Sequence, residues 1–210
     1  LANTPAPDVS ALGAGEAWRE RSVFMVSMGD LFGGWVPPWF VEAVLDEVRR
    51  HPQWFCFFLT KEPGRLADFA FPPNCAVGLT LTGDEPHGAD AWPPEHRAEL
   101  YRQYAAALGR ARGAAFTWLS AEPLRGDLGD LSPFFDAGVR LVAVGAQSRT
   151  VVPARRGGGI VVVPELQPEV LWVESVRAQC RAAGVALFEK ENLAVRAKEI
   201  PFPSAPPPAV

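Results

Sequence analysis

The 210-residue chain predicts an α/β domain, a partial (β/α) TIM-like barrel of parallel strands with about six βα units. Three observations carry that expectation. Six short runs rich in β-branched and aromatic residues are almost continuously apolar, as buried parallel strands are. Helical patterns lie between most of them, and alternation of strand and helix means right-handed βαβ units. Each run is followed by small, hydroxylic or charged residues, which gathers polar groups at one end of the sheet. No Gly-x-Gly-x-x-Gly follows any of the runs, which takes support from the dinucleotide-binding open sheet.

Taken in order, residues 1–22 read as a linker-like segment, with Pro5, Pro7, Gly13 and Gly15 and little apolar periodicity. The predicted strands are Val23–Ser27, Phe55–Thr60, Ala76–Leu81, Phe116–Ser120, Leu141–Gly145 and Val185–Phe188. Pro37 and Pro38 can open a helix that carries Phe40, Val41, Val44, Leu45 and Val48, because the first turn tolerates proline. A second helix over Glu95–Arg112 carries Leu100, Tyr104 and Leu108, and a shorter element covers Pro133–Asp136. The last helix, Glu169–Ala183, places Val173, Val176 and Cys180 on one face and stops at Gly184. Two stretches read as long loops: Gly83–Pro94, with Asp84, Glu85, His87 and Asp90, and Gln147–Pro168, with Arg155, Arg156 and three glycines. The barrel domain spans residues 23–193, and residues 194–210 form a tail whose last part, Pro201–Val210, is Pro-rich.

Composition narrows the function classes. Twenty Lys and Arg against 24 Asp and Glu give a net charge of -4, which does not indicate nucleic-acid binding. No apolar run approaches the roughly 20 residues that cross a bilayer, so no membrane partner is expected. Three scattered cysteines, Cys56, Cys75 and Cys180, make no disulfide framework and no metal-binding spacing; they fit a reducing cytoplasm and read as core thiols. His51, His87 and His96 lack the spacing of metal ligands. The Gly157–Gly159 run lacks the Gly-Lys-Ser/Thr ending of a phosphate loop.

The candidate site therefore lies at the strand ends: Ser27 to Asp30, Thr60 to Glu62, Thr80 to Asp84, Ser120 to Pro123, Gly145 to Ser148 and Glu189 to Asn192. In barrels the loops converge there over a rigid core. Lys61 or Lys190 paired with Glu122 is an electrostatically sensible acid–base couple, and equally a structural ion pair in the barrel mouth.

In that order the strand ends resemble a known family. The stretches are Val23-Phe-Met-Val-Ser-Met-Gly-Asp-Leu-Phe32, Phe58-Leu-Thr-Lys-Glu-Pro-Gly-Arg-Leu66 and Pro73-Asn-Cys-Ala-Val-Gly-Leu-Thr-Leu-Thr82. Trp118-Leu-Ser-Ala-Glu-Pro-Leu124, Val142-Ala-Val-Gly-Ala-Gln147 and Gln179-Cys-Arg-Ala-Ala-Gly-Val-Ala-Leu-Phe-Glu-Lys190 follow. Together they resemble the radical SAM-like family of phage and bacterial proteins named after phage gene products thirty-seven and sixty-eight.

The resemblance implies a radical S-adenosylmethionine barrel. In such enzymes a CxxxCxxC loop holds a [4Fe-4S] cluster, an electron donor reduces it, and a 5′-deoxyadenosyl radical abstracts hydrogen from a substrate. By resemblance, Ser27 and Asp30 meet the methionyl amino group, and Thr80 and Thr82 contact ribose or carboxylate. Gly145 and Gln147 line the adenine site, Glu122 matches the acidic residue at a later strand end, and Lys61 and Lys190 face substrate or the cofactor carboxylate. The substrate is not specified. The chain departs from the pattern in three places: it has no CxxxCxxC, Gly145-Ala146-Gln147-Ser148 stands where the family often has Gly-Gly-Glu-Ser, and the Val151–Leu166 stretch differs, its Arg155 and Arg156 fitting a substrate loop. The Leu1 start and linker-like opening favour a fragment of a longer protein over a degenerate barrel that never held a cluster. Two rival readings stand beside this one: a cluster-free barrel that binds a nucleotide or a protein, and a conventional acid–base enzyme using Lys61 or Lys190 with Glu122.

Overall fold

The computed structural model describes residues 22–27, 29–85, 94–153 and 160–194. Six strands form one all-parallel sheet in the order β1 (Ser22–Phe24), β2 (Phe55–Thr60), β3 (Cys75–Thr80), β4 (Phe116–Ala121), β5 (Val139–Val144) and β8 (Ala186–Glu189). Between them run α1 (Pro38–Arg50), a 3-10 helix at Pro63–Asp68, α2 (Pro94–Leu108), α3 (Ser132–Asp136) and α4 (Val170–Ala183). A two-stranded antiparallel sheet, β6 (Thr150–Pro153) with β7 (Ile160–Val163), stands apart from the main one.

The two faces of the main sheet differ in kind. One packs Cys56, Phe58, Val77, Leu79, Leu119, Val142 and Val144 against apolar stripes of the helices: Val41, Leu45 and Val48 of α1, Tyr101 and Leu108 of α2, and Val173, Val176 and Cys180 of α4. The other carries a separate cluster of Phe55, Phe57, Ala76, Phe116, Trp118, Leu141, Ala143 and Ala186, to which no described helix contributes. Helices confined to one face of a parallel sheet belong to a barrel wall, whereas a doubly wound sheet is covered on both. The curled sheet is a half-barrel, and the aromatic cluster lines its concave side. Large and small residues alternate across neighbouring strands there, as in Phe57, Ala76 and Phe116 or Gly78 and Trp118, so that side chains interleave.

Helix ends follow the punctuation in the sequence. Pro37 and Pro38 occupy the N-cap and first turn of α1. Asn74 donates to the carbonyls of Val48, His51 and Trp54, which gathers the end of α1 and the turn after it. Gly184, with φ of 66°, ends α4 in the left-handed conformation that glycine adopts without a steric penalty.

Four expectations are corrected. β1 stops at Phe24 rather than Ser27, because Val26 turns the chain with a φ of 53°, a left-handed value that a β-branched residue adopts only under strain. Phe40 is exposed on α1 rather than part of its buried stripe. α2 ends at Leu108, immediately before Gly109, instead of reaching Arg112. Gln147–Pro168 is no plain loop: it holds β6 and β7, while Arg155, Arg156 and the three glycines lie outside the described residues. So do residues 1–21, His87, Asp90 and the tail from Pro201.

Candidate functional site at the mouth of the half-barrel

Parallel strands deliver all their C-terminal ends to one rim, and register decides which residues share a face there. Thr80 stands beside Ser120, Ser120 beside Ala143 and Ala143 beside Phe188. Ala143 and Phe188 belong to the concave cluster, so this row faces the barrel interior. Two residues further on, side chains return to the same face. That step brings Glu122, Gly145 and Lys190 to the rim as one row over β4, β5 and β8. The ladder continues past the strand ends, with Gly145 N–H bonded to Ala121 O at 3.1 Å and Lys190 N–H to Val144 O at 2.9 Å.

Lys190 Nζ lies 2.5 Å from Glu122 Oε2, and the two side chains remain 35% and 28% exposed. Of the expected pairings with Glu122, the structure forms that of Lys190. The Lys61 side chain is exposed, and its described role is through its backbone N–H, 2.8 Å from Asp30 Oδ2. Beside the Glu122–Lys190 pair is an open cleft of about 340 Å³ between the end of β4 (Glu122, Arg125), the segment after β5 (Ala146, Gln147, Ser148) and the hairpin (Thr150, Val163).

Other candidates are engaged in holding loops. Asp30 accepts from Phe32 N–H at 3.0 Å, from Thr60 Oγ1 at 2.9 Å and from Lys61 N–H, which clamps the turn after β1 to the end of β2. Thr82 is buried; its hydroxyl donates to Asp84 and Glu85, and its carbonyl accepts from Arg125 and Gly126 N–H. Gln147 Oε1 accepts from Arg125 Nη2 at 2.8 Å, while Nε2 donates to Pro164 O at 2.9 Å, tying β5 to the base of the hairpin. Ser27 is exposed in the turn after β1, and Thr80 is half-buried on the concave row. A Cβ on Gly145 would meet the Glu122 side chain, which occupies the space beside its Cα.

Three residues have roles that the sequence did not assign to them. Asn192 donates to Ala146 O at 2.7 Å and accepts from Ala146 N–H at 3.2 Å, pinning the segment after β8 against the end of β5. Arg125, just after β4, joins the segment after β3 through Asp84 at 3.6 Å to the segment after β5 through Gln147. Trp118, 6% exposed on the concave face, has a buried indole N–H without an acceptor among the described residues. Only Asn192 left a trace in sequence, as an amide directly after the Glu-Lys-Glu strand end.

The cluster implied by the resemblance does not fit the cysteines present. Cys56 and Cys75 are register partners on β2 and β3, and Cys180 is on α4; all three are buried in the helix-covered layer, away from the concave face. Burial pushes the Cys56 thiol up to about 11 and the Cys180 thiol up to about 12, and that of Cys75 higher still, so each is held as a neutral thiol rather than a ligating thiolate. Among the described residues no group of three or more His, Cys, Asp or Glu is placed to hold a metal ion. Lys190 and Glu122 offer one charge of each sign at the rim. No described helix is long and apolar enough to cross a membrane.

A family model described as protein of unknown function (DUF5131) matches residues 7–199, which takes in every described strand and helix. The chain belongs to that family. No curated protein and no solved structure matched it. The family description assigns no chemistry, so the functional reading rests on the rim itself.

Proposed function

We propose that the mouth of the half-barrel binds S-adenosylmethionine, and that this member of the family is a radical S-adenosylmethionine-type protein on a TIM-like barrel. The observation that carries the reading is the row of Glu122, Gly145 and Lys190, which sets a carboxylate and an ammonium side by side, partly exposed, at the polar end of the sheet. A methionyl carboxylate takes the remaining donors of Lys190, and its ammonium takes the free lone pairs of Glu122. Bound S-adenosylmethionine supplies the 5′-deoxyadenosyl group that radical chemistry uses. The described residues contribute binding, orientation and the apolar floor of Phe57, Trp118 and Phe188 beneath the site. No step is assigned to a cluster, since the described thiols are not placed to hold one.

Calorimetric titration with S-adenosylmethionine tests the reading. Saturable binding is expected, weakened at least about tenfold, or about 1.4 kcal/mol, by Lys190→Ala. Absence of heat and of any binding at millimolar ligand would remove the proposal. The 2.5 Å contact also favours a second reading, in which Lys190 and Glu122 exchange protons with a substrate without any cofactor. Turnover that needs no S-adenosylmethionine and disappears in Lys190→Ala would select it.

A further inference from the structure

β4 and β8 do not pair with each other; β5 lies between them. Neighbouring strands are about 4.8 Å apart, which separates β4 from β8 by roughly 9.6 Å. The Glu122–Lys190 bridge closes that distance, so its side chains must cross over the end of β5. The residue beneath the crossing is Gly145. A Cβ there would lie 2.9 Å from Glu122 Cγ and 3.0 Å from its Cδ and Oε1. Ordinary contact between carbon atoms begins near 3.5 Å. The carboxylate therefore travels through space that exists because residue 145 has no side chain.

We infer that Gly145 is a positioning residue, the lane in which Glu122 crosses β5 to hold Lys190 and so present a charge pair to the mouth. The inference deepens the reading of the mouth as a ligand site and rests on it. It also replaces the adenine-lining role that the resemblance gives Gly145, since the space over this residue is filled by the protein's own carboxylate. The backbone does not itself require glycine here: the positive φ values among the described residues lie at other positions. Gly145 N–H is bonded to Ala121 O, and its carbonyl accepts from Leu124 N–H, and neither bond involves a side chain. An alanine methyl would meet a flexible glutamate chain rather than fixed backbone. The expected consequence is a displaced carboxylate on an intact sheet.

The chain has three lysines, Lys61, Lys190 and Lys198, so ¹³C reductive methylation gives a spectrum in which each dimethyl-lysine signal can be assigned by single replacement. Glu122→Gln should move the Lys190 signal, and Gly145→Ala should move it in the same direction, leaving Lys61 where it was. S-adenosylmethionine affinity should fall in both single variants and no further in the double variant. A Lys190 signal moved by Glu122→Gln and unmoved by Gly145→Ala would overturn the positioning role while leaving the ligand reading intact. Moved signals with no ligand binding to the unaltered protein would uphold positioning and overturn that reading. Should Gly145→Ala fail to fold, combining it with Glu122→Ala decides the matter. Recovery of the fold in the pair places the clash between these two side chains, and failure to recover contradicts it.

Discussion

On the β1–β3 side of the rim, Asp30 spends its carboxylate on three hydrogen bonds and Thr82 is buried between two acidic side chains and two backbone amides. On the β4–β8 side, Glu122 and Lys190 meet each other and stay about a third exposed. Both sides look equally polar in sequence, yet Asp30 and Thr82 are taken up by neighbouring loop groups, while Glu122 and Lys190 form a pair of opposite charge that stays partly open at the rim. A polar residue at a strand end is thus a weak sign of function until its partners are known. One whose lone pairs are filled by neighbouring amides is a loop clamp.

The largest effect should come from the clamp side. Asp30→Ala leaves the Thr60 hydroxyl and the Phe32 and Lys61 amides without their acceptor, at a cost of about 3 kcal/mol, given about 1–3 kcal/mol for each unsatisfied group that water cannot reach. Urea unfolding measures it, and ligand affinity of the folded variant should match that of the unaltered protein. Lys190→Ala should do the reverse. Its partly exposed pair contributes about 1 kcal/mol or less to stability, while ligand affinity falls tenfold or more.

The helix-covered face gives a pH-dependent contrast. Its three thiols titrate above the ordinary 9.0 because burial disfavours the thiolate. Above about pH 9 the unfolded chain sheds these protons while the folded chain keeps them, so stability is fully present below pH 9 and declines as pH rises toward 11–12. Unfolding free energies taken between pH 8 and 11 should fall in the unaltered protein and fall less steeply in Cys180→Ala. A disulfide reagent at pH 8 should label none of the three until denaturant is added. The smallest effect concerns the strained turn before Asp30. Val26→Gly should raise stability by about 1 kcal/mol, the typical cost of left-handed backbone in a residue with a Cβ. A loss of stability there would show that the Val26 side chain, not its backbone, matters.

Much of the fold was legible because strand and helix patterns alternate along most of the chain. Five of the six strands begin and end within about two residues of the apolar runs, and Gly184 marked the end of α4. β1 was overextended because its run stays apolar through Val26 while the backbone turns there. The hairpin was missed because its strands, Thr150–Pro153 and Ile160–Val163, are short and flank a glycine run that reads as loop. Val151, Ile160, Val161 and Val162 are exposed, so burial gave no pattern to follow. At the rim, sequence supplied the residue types but not the division of labour. Whether Asp30 or Glu122 is occupied depends on which loop amides fold onto it, a long-range fact with no local signature. Gly145 is the clearest case, since its use depends on a bridge between residues 68 positions apart.

Amide hydrogen exchange with and without S-adenosylmethionine tests most directly where the ligand sits. Added protection at Leu124–Arg125, Gly145–Ser148 and Lys190–Leu193, with Asp30–Gly34 and Lys61–Glu62 unchanged, is the expected result. Protection confined to Asp30–Gly34 and Lys61–Glu62 would contradict the division of the rim and place the ligand over the clamps instead.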